Sequence, residues 1–207
     1  MTRPTPELVA DLAARILAAP PSAGPVRLVC IDGPSGAGKS TLARDLVGAL
    51  AASPSWAALH GDASGPPVVH GDDVYEGWDV VAGTAGPVDA FTALGERLVV
   101  SLVDPWLRGD AGSVDVWAWV SSRWAGTRAV PAAPVVLLEG VGLAGPAVRP
   151  HASLTIWIDA DPALRAQRVD ARDGLDVAAH MPRWRAWESA WHTHDATASH
   201  CDVALRT

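Results

Sequence analysis

The sequence predicts one α/β domain, a three-layer sandwich in which helices cover both faces of a mostly parallel five-stranded sheet and a helical lid lies over one end. Short apolar strands alternate along the chain with segments whose apolar residues recur at helical spacing. A glycine-rich motif of the kind that binds phosphate stands directly between the first strand and the following helix. The 207 residues are enough for one domain, 1–207, with a core on both sides of its sheet.

Each element has a pattern of its own. Residues 1–24 are predicted to form an amphipathic helix (6–19) and a linker, because charged residues interrupt the apolar stretch that a signal peptide needs. Strands are predicted at 26–31, 68–70, 135–138, 154–158 and 202–205, with an exposed strand at 114–120. Helices are predicted at 41–52, 91–107, 161–173 and 182–195, with the lid at about 161–174. The Gly/Pro/Ser/Ala-rich stretch 51–67 is predicted to be a loop.

Composition excludes several classes of partner. The formal net charge is −7 and the pI is about 5.4, so nothing indicates binding to nucleic acid or to an anionic membrane. No run of about 20 apolar residues predicts a membrane span. Cys30 and Cys201 are too few for a disulfide framework, which favours a reducing, cytoplasmic location. The expected partner is a small molecule, and the oligomeric state is left open.

The phosphate-binding motif G-x-x-x-x-G-K-[ST] is matched at every fixed position. The residues predicted to hold the phosphates of ATP are Gly33, Pro34, Ser35, Gly36, Ala37, Gly38, Lys39, Ser40 and Thr41. Glycines let backbone N–H groups surround phosphate oxygens, and the Lys39 ammonium reaches the terminal phosphates. Lys39 is the only lysine of the chain, and its strand–loop–helix setting predicts a P-loop NTPase fold.

Carboxylates follow two of the apolar strands, where ligands collect in a parallel sheet. Asp72 is predicted to be the general base that accepts a hydroxyl proton. Ser40 and Glu139, together with Asp72, are predicted to organise Mg²⁺. The alternative is that Asp72 and Asp73 only cap a turn.

Three arginines, Arg165, Arg168 and Arg172, fall at i, i+3 and i+7 and share one helix face. They are predicted to close over ATP, with Arg165 and Arg168 neutralising charge during transfer and Arg172 holding the nucleotide. The alternative is a solvated face paired with Asp170 and Asp173.

Six of the ten tryptophans form two groups in the sequence, one at Trp117, Trp119 and Trp124 and one on a predicted helix. Trp117 and Trp119 lie on one side of a strand and could stack on an acceptor ring. Trp184, Trp187 and Trp191 have helical spacing and are predicted to pack in the core. His192 and His194 point about 200° apart on a helix, so no structural metal site is predicted there.

With no second lysine, the chain cannot carry the Asn/Thr-Lys-x-Asp motif that reads guanine, so ATP is the predicted donor. The sequence resembles the uridine kinase and phosphoribulokinase branch of P-loop kinases, particularly uridine-kinase-like proteins of actinobacterial type. Four blocks carry the resemblance: residues 31–41, residues 70–79 with the run Asp72-Asp73-Val74-Tyr75, residues 136–142, and the arginine run 165–173.

The resemblance implies that Asp72 is the base toward a 5′-hydroxyl. The residues expected to bind the acceptor are Asp73, Tyr75, Trp78, Trp117, Trp119 and Arg123. Two family features are absent. The block 117–123 lacks the Asp and His that help hold the base, and 83–87 lacks the acidic residue for the ribose hydroxyls, for which Asp89 is a loose substitute. The uridine site is therefore altered, while the donor site is complete.

The expected function is an ATP- and Mg²⁺-dependent kinase that phosphorylates a hydroxyl on a small molecule, in the manner of a nucleoside kinase with an altered acceptor site. One alternative is a nucleotide-gated ATP-binding protein or ATPase without metabolite kinase activity. Another is a nucleoside monophosphate kinase, with Arg97, Arg108 and Arg123 available for an acceptor phosphate.

Overall fold

A computed structural model describes residues 3–61 and 64–207, with the backbone alone for residues 174–176. The predicted segment 1–24, the predicted loop 51–67 and the predicted lid 161–174 therefore each include residues outside this description. Among the described residues, no helix combines the length and the apolar character needed to cross a membrane.

The main sheet has five strands, and every adjacent pair is parallel. In chain order they are β1 Arg27–Asp32, β2 Val68–His70, β5 Val135–Glu139, β6 Leu154–Asp159 and β7 Val203–Arg206. Their spatial order is β2-β5-β1-β6-β7, with Ile31 opposite Glu139 and His70 also opposite Glu139. The carboxyl ends of β2, β5 and β1 consequently meet at one edge, as the sequence predicts.

Helices cover both faces of this sheet. Alternate residues of β1 and β5 belong to two separate apolar cores: Leu28 and Val136 to one, Val29 and Leu137 to the other. The helices with residues in the second core are α1 Pro6–Ala18, α2 Lys39–Ala51 and α3 Pro54–His60. Those in the first core are α5 Pro87–Leu98, α6 Asp104–Leu107, α7 Pro162–Ala178 and α8 Met181–Asp195. The predicted three-layer α/β sandwich is confirmed.

Several elements depart from the prediction. The stretch predicted as a loop at 51–67 contains α3, which is anchored by the fully buried Trp56. The helix predicted at 91–107 begins four residues earlier and passes through a π-helical turn, Val99–Val103, into α6. Two short helices, α4 Gly71–Val74 and α9 Thr197–His200, were not predicted. The helices α3, α4 and α9 are short, and α3 depends on one buried anchor, so the periodicity of apolar residues gives little signal for them.

Outside the main sheet, β3 Gly112–Ala118 and β4 Arg123–Val130 form an antiparallel hairpin. The exposed strand was predicted at 114–120, two residues late, and β4 was missed because its mostly exposed residues do not alternate between apolar and polar. Trp119, just beyond β3, donates its indole N–H to the backbone oxygen of Asp72 at 2.7 Å. Arg128 of β4 binds the Asp73 carboxylate at 2.9 Å. These two bonds hold the hairpin beside α4 and the sheet edge.

Candidate functional site

The phosphate loop joins β1 to α2 and requires glycine for two physical reasons. Gly33 has a φ of 144°, and a Cβ there would lie 2.0 Å from the backbone oxygen of Ile158 in β6. Gly36 has a φ of 77°, and a Cβ there would lie 2.4 Å from the backbone oxygen of Arg165 in α7. Only glycine combines positive φ with such close backbone approach. The loop is therefore packed between β6 and α7 in a fixed shape.

Asp32, at the end of β1, supports the loop from inside the protein. Its fully buried carboxylate accepts hydrogen bonds from the N–H groups of Gly33 at 2.6 Å, Gly142 at 3.0 Å and Ala144 at 2.8 Å. The ring nitrogen Nε2 of His192 lies 3.1 Å from the same carboxylate. Burial opposes ionisation of Asp32, but His192 and the amide donors together hold its pKa below the usual value. One carboxylate thus joins the phosphate loop, the segment after β5, and α8.

Helix α8 also binds Ser35, which we call the crest of the phosphate loop. The buried Glu188 accepts a hydrogen bond from the N–H of Ser35 at 2.9 Å, and Trp184 donates its indole N–H to the Ser35 Oγ at 2.7 Å. Arg165 lies 3.4 Å from Glu188 and is 3.3 Å from Asp159. The N–H and the hydroxyl of Ser35 are consequently both positioned by one helix that is distant in sequence.

A cavity of about 550 Å³ opens above the loop at the carboxyl end of the sheet. We call the part lined by residues 35–41, Arg168 and Thr207 its phosphate side. We call a second part the aromatic wall, which consists of Tyr75, Trp78, Trp119, Val177, Met181 and Trp184. Asp72, Glu139, Arg172 and Asp173 also line the cavity, and Arg3 and Pro4 lie along its margin.

Lys39 and two carboxylates meet in this cavity. The Lys39 ammonium donates to the backbone oxygens of Gly33 at 2.7 Å and Pro34 at 3.1 Å. Glu139 is 4% exposed, and its Oε1 lies 2.7 Å from Nδ1 of His70. Burial opposes ionisation of Glu139, yet the His70 hydrogen bond and the Lys39 charge keep its pKa below the usual value. Glu139 is therefore a carboxylate at neutral pH.

Asp72 has the opposite electrostatic setting. Its side chain is accessible from the cavity, but the protein that surrounds the cavity mouth and the negative charge of Glu139 raise its pKa. Arg172 and Lys39 counteract part of this effect. A carboxylate with a raised pKa is a stronger proton acceptor than an ordinary aspartate.

Ser40 and Glu139 fit a magnesium ion chemically. Both residues line the cavity beside the phosphate loop, and the nearby Ser40 hydroxyl helps to hold the Glu139 pKa below its usual value. A carboxylate and a hydroxyl are the hard oxygen ligands that Mg²⁺ accepts together with phosphate oxygens and water.

The three arginines that were predicted to close over ATP from one helix face do not all line the cavity. Arg172 lines the cavity and forms two bonds to Asp173, at 2.5 and 2.6 Å. Arg168 also lines it, but its guanidinium donates to the backbone oxygen of Gly36 at 3.1 Å and to Thr207 Oγ1 at 3.0 Å. Arg165 lies outside the cavity, bound to Asp159 and Glu188. Only Arg172 and Arg168 remain placed for a ligand.

The predicted acceptor residues also divide into two groups. Tyr75, Trp78 and Trp119 line the cavity. Asp73 does not, because Arg128 binds its carboxylate, and Trp117 packs edge-to-face on Trp124 at 5.1 Å. Arg123 is exposed at the start of β4, and the first two residues of the phosphate motif, Gly33 and Pro34, lie behind the cavity lining. The arginines considered for an acceptor phosphate, Arg97, Arg108 and Arg123, are all absent from the cavity lining.

Sequence reasoning missed several residues of the site. Trp184 and Trp191 are buried in the core as predicted, but Trp184 also forms part of the aromatic wall. Met181 and Val177 reach the wall from α8 and α7. His70 ends β2 directly opposite Glu139 in the register, a pairing that a correct strand alignment would have revealed. The buried partners Asp32 and Glu188 had no comparable signal in the sequence.

Solved structures share this architecture. A possible uridine kinase from Bacillus stearothermophilus superimposes with a TM-score of 0.64 and 19% identity over 95% of this chain and 96% of that one. A candidate fructose transport system kinase from Silicibacter sp. TM1040 gives a TM-score of 0.54 and 20% identity over 95% and 98% of the two chains. No protein-family model and no curated protein matches the sequence. The fold is thus that of the P-loop kinases.

Proposed function

We propose that this protein is an ATP- and Mg²⁺-dependent kinase that transfers the γ-phosphate to a hydroxyl group of a small molecule. The observation that carries the proposal is the placement of Asp72, Glu139 and Lys39 around one cavity, at the carboxyl ends of adjacent strands. A phosphate loop needs Lys39 for any nucleotide, whereas a proton-accepting carboxylate opposite the loop suits transfer to an alcohol.

The chemistry assigned to these residues is an in-line phosphoryl transfer. Lys39 and the loop N–H groups bind the β- and γ-phosphates, and Asp72 accepts the proton of the acceptor hydroxyl. The acceptor oxygen forms a bond to the γ-phosphorus as the bond between that phosphorus and the β–γ bridging oxygen breaks, and ADP leaves. Arg172 is placed to neutralise charge on the transferred group. Ser40 and Glu139 would hold Mg²⁺, which would add further neutralisation of the phosphate charge.

The test is a search for a phosphorylated product with Mg-ATP and pooled alcohols, nucleosides and sugars, detected by mass spectrometry. Asp72→Asn should retain ATP binding but transfer phosphate about 10² to 10⁴ times more slowly. Asp110→Asn is the comparison, since it removes an exposed carboxylate that pairs with Arg108 outside the cavity, and it should retain transfer.

Unchanged transfer in Asp72→Asn would remove Asp72 from the role of base. ATP hydrolysis that no alcohol stimulates, together with a stable protein partner, would favour a nucleotide-gated binding protein instead. Product formation only on phosphate-bearing acceptors would favour a nucleoside monophosphate kinase.

A further inference from the structure

The acceptor part of the cavity has an unusual surface for a site that binds a polyhydroxylated metabolite. The aromatic wall draws four rings from three separated segments of the chain: Tyr75 and Trp78 after β2, Trp119 after β3, and Trp184 on α8. Val177 near the end of α7 and Met181 at the start of α8 add aliphatic side chains to the same lining. Most of the surface that a ligand meets beyond Asp72 is therefore aromatic or aliphatic.

The hydrogen-bonding groups on three of these rings already have partners. Trp119 donates its indole N–H to the Asp72 backbone oxygen at 2.7 Å, and Trp184 donates to the Ser35 Oγ at 2.7 Å. The Tyr75 hydroxyl donates to the Val141 backbone oxygen at 2.9 Å. Since these groups are occupied within the protein, Tyr75, Trp119 and Trp184 present ring surfaces rather than free donors to a ligand.

The rings also support one another in a fixed arrangement. Trp78 packs edge-to-face on Trp119 at 5.1 Å and on Trp184 at 6.0 Å, and it stacks on His180 at 4.6 Å with an interplanar angle of 12°. Edge-to-face and stacked contacts are the favourable geometries of aromatic pairs. A surface that is ordered before the ligand arrives loses little conformational entropy on binding.

Such a wall disfavours the hydroxyl groups of sugars and of the ribose of nucleosides. A ribose hydroxyl buried against it would lose its water without gaining a partner, which corresponds to roughly 5- to 150-fold in affinity for each such hydroxyl. A planar aromatic group has no such hydroxyl to desolvate, and it gains apolar burial and ring contacts against the wall.

We propose that the acceptor is an alcohol whose hydroxyl is attached to an aromatic ring system, with the ring held by Trp78, Trp119 and Trp184 and the hydroxyl directed at Asp72. This inference rests on the proposed kinase function and names its substrate class. The transfer itself is unchanged: the proton goes to Asp72, the alcohol oxygen bonds the γ-phosphorus, and ADP leaves.

The experiment compares matched primary alcohols with Mg-ATP: 2-naphthylmethanol, benzyl alcohol, cyclohexylmethanol, uridine and ribose. Product is followed by mass spectrometry, and binding is measured separately by saturation-transfer NMR. We expect kcat/KM to be about tenfold higher for 2-naphthylmethanol than for benzyl alcohol, because a second ring adds apolar burial. Cyclohexylmethanol should fall below benzyl alcohol, and uridine and ribose should be at least about 100-fold poorer than 2-naphthylmethanol.

Variants of the wall separate ring contact from general damage. Trp119→Ala should lower kcat/KM for 2-naphthylmethanol by about tenfold or more, whereas Trp119→Phe, which keeps a ring, should stay within about fivefold of wild type. Trp124→Ala is the control, since Trp124 lies on the same hairpin but outside the cavity. The affinity for Mg-ATP should be unchanged in all three variants.

The outcomes distinguish the two proposals. Efficient phosphorylation of uridine or ribose over the aromatic alcohols would overturn the aromatic acceptor and leave the kinase function intact. Binding of 2-naphthylmethanol that Trp119→Ala abolishes, without any phosphorylated product, would uphold the aromatic site and overturn the kinase function. Absence of both binding and turnover of the aromatic alcohols would overturn the aromatic site.

Discussion

The two parts of the cavity are constructed in different ways. The phosphate side is mainly backbone from one continuous segment, 35–41, held from behind by the buried carboxylates Asp32 and Glu188. The aromatic wall is made of side chains from separated segments that support one another through ring contacts. A backbone site recognises a group common to many ligands, whereas a side-chain wall can change its ligand by substitution. Donor binding and acceptor choice are therefore separable properties of this fold.

The largest expected effect comes from removing the Lys39 ammonium from the phosphate side. Lys39→Ala should lower kcat/KM for ATP by about 10³-fold, because no other lysine can reach the terminal phosphates. Arg44→Ala, at an exposed position on the same helix, is the control and should behave as wild type. Steady-state kinetics at saturating acceptor would measure both, and near-normal turnover of Lys39→Ala would end the assignment of the donor site.

Removing the support beneath the phosphate loop should affect stability as well as activity. Asp32→Asn should lower the free energy of unfolding by about 3 kcal/mol, since the fully buried carboxylate accepts three backbone bonds and faces His192. Asp45→Asn removes the partner of the exposed Arg3 and should cost much less. Urea unfolding of both variants would provide the comparison.

The effect of Asp32→Asn on the free energy of unfolding should also depend on pH. Because the folded pKa of Asp32 is lowered, its contribution is present above the unfolded pKa of about 3.9 and is lost as pH falls through the folded pKa. The stability difference between wild type and Asp32→Asn should therefore shrink below about pH 4. A difference that stayed constant down to pH 2 would contradict the lowered pKa.

A smaller effect, on KM for ATP, should distinguish the phosphate side from the aromatic wall. Glu188→Ala leaves the Ser35 N–H without its acceptor and should raise KM for ATP by about tenfold. Glu188→Gln retains an acceptor oxygen and should recover most of this loss. KM for ATP and KM for the acceptor should be measured in both variants. If the phosphate side and the aromatic wall are separable, the acceptor KM changes less than the ATP KM.

The smallest expected effect lies behind the aromatic wall. His180→Ala removes the ring that stacks on Trp78 and should raise the acceptor KM by about two- to fivefold, with KM for ATP unchanged. His200→Ala, on α9, serves as the control. Equal changes in both KM values would indicate that His180 supports the whole site rather than the wall.

The same division explains what the sequence could predict. The phosphate loop, its flanking strand and helix, and Asp72 and Glu139 at strand ends were all recognisable, because motif spacing and strand periodicity are local signals. Trp184 was placed in the core and is indeed buried, but its contact with the cavity depends on how α8 packs against the loop. Arg165 shares helical spacing with Arg172, yet Asp159 and Glu188 bind it elsewhere. Long-range packing decides such cases, and no single-sequence pattern records it.

In the proposed kinase, the bond between Trp184 and Ser35 would provide a thermodynamic link between the two substrates. The indole that forms part of the aromatic wall is tied at 2.7 Å to the crest of the phosphate loop. Any shift of Ser35 when a triphosphate arrives is transmitted to that ring, and any shift of the ring by an acceptor is transmitted back. Such coupling is reciprocal, so the dissociation constant of each substrate should depend on the presence of the other by the same factor. The two substrates are then expected to bind with synergy or antagonism rather than at random and independently.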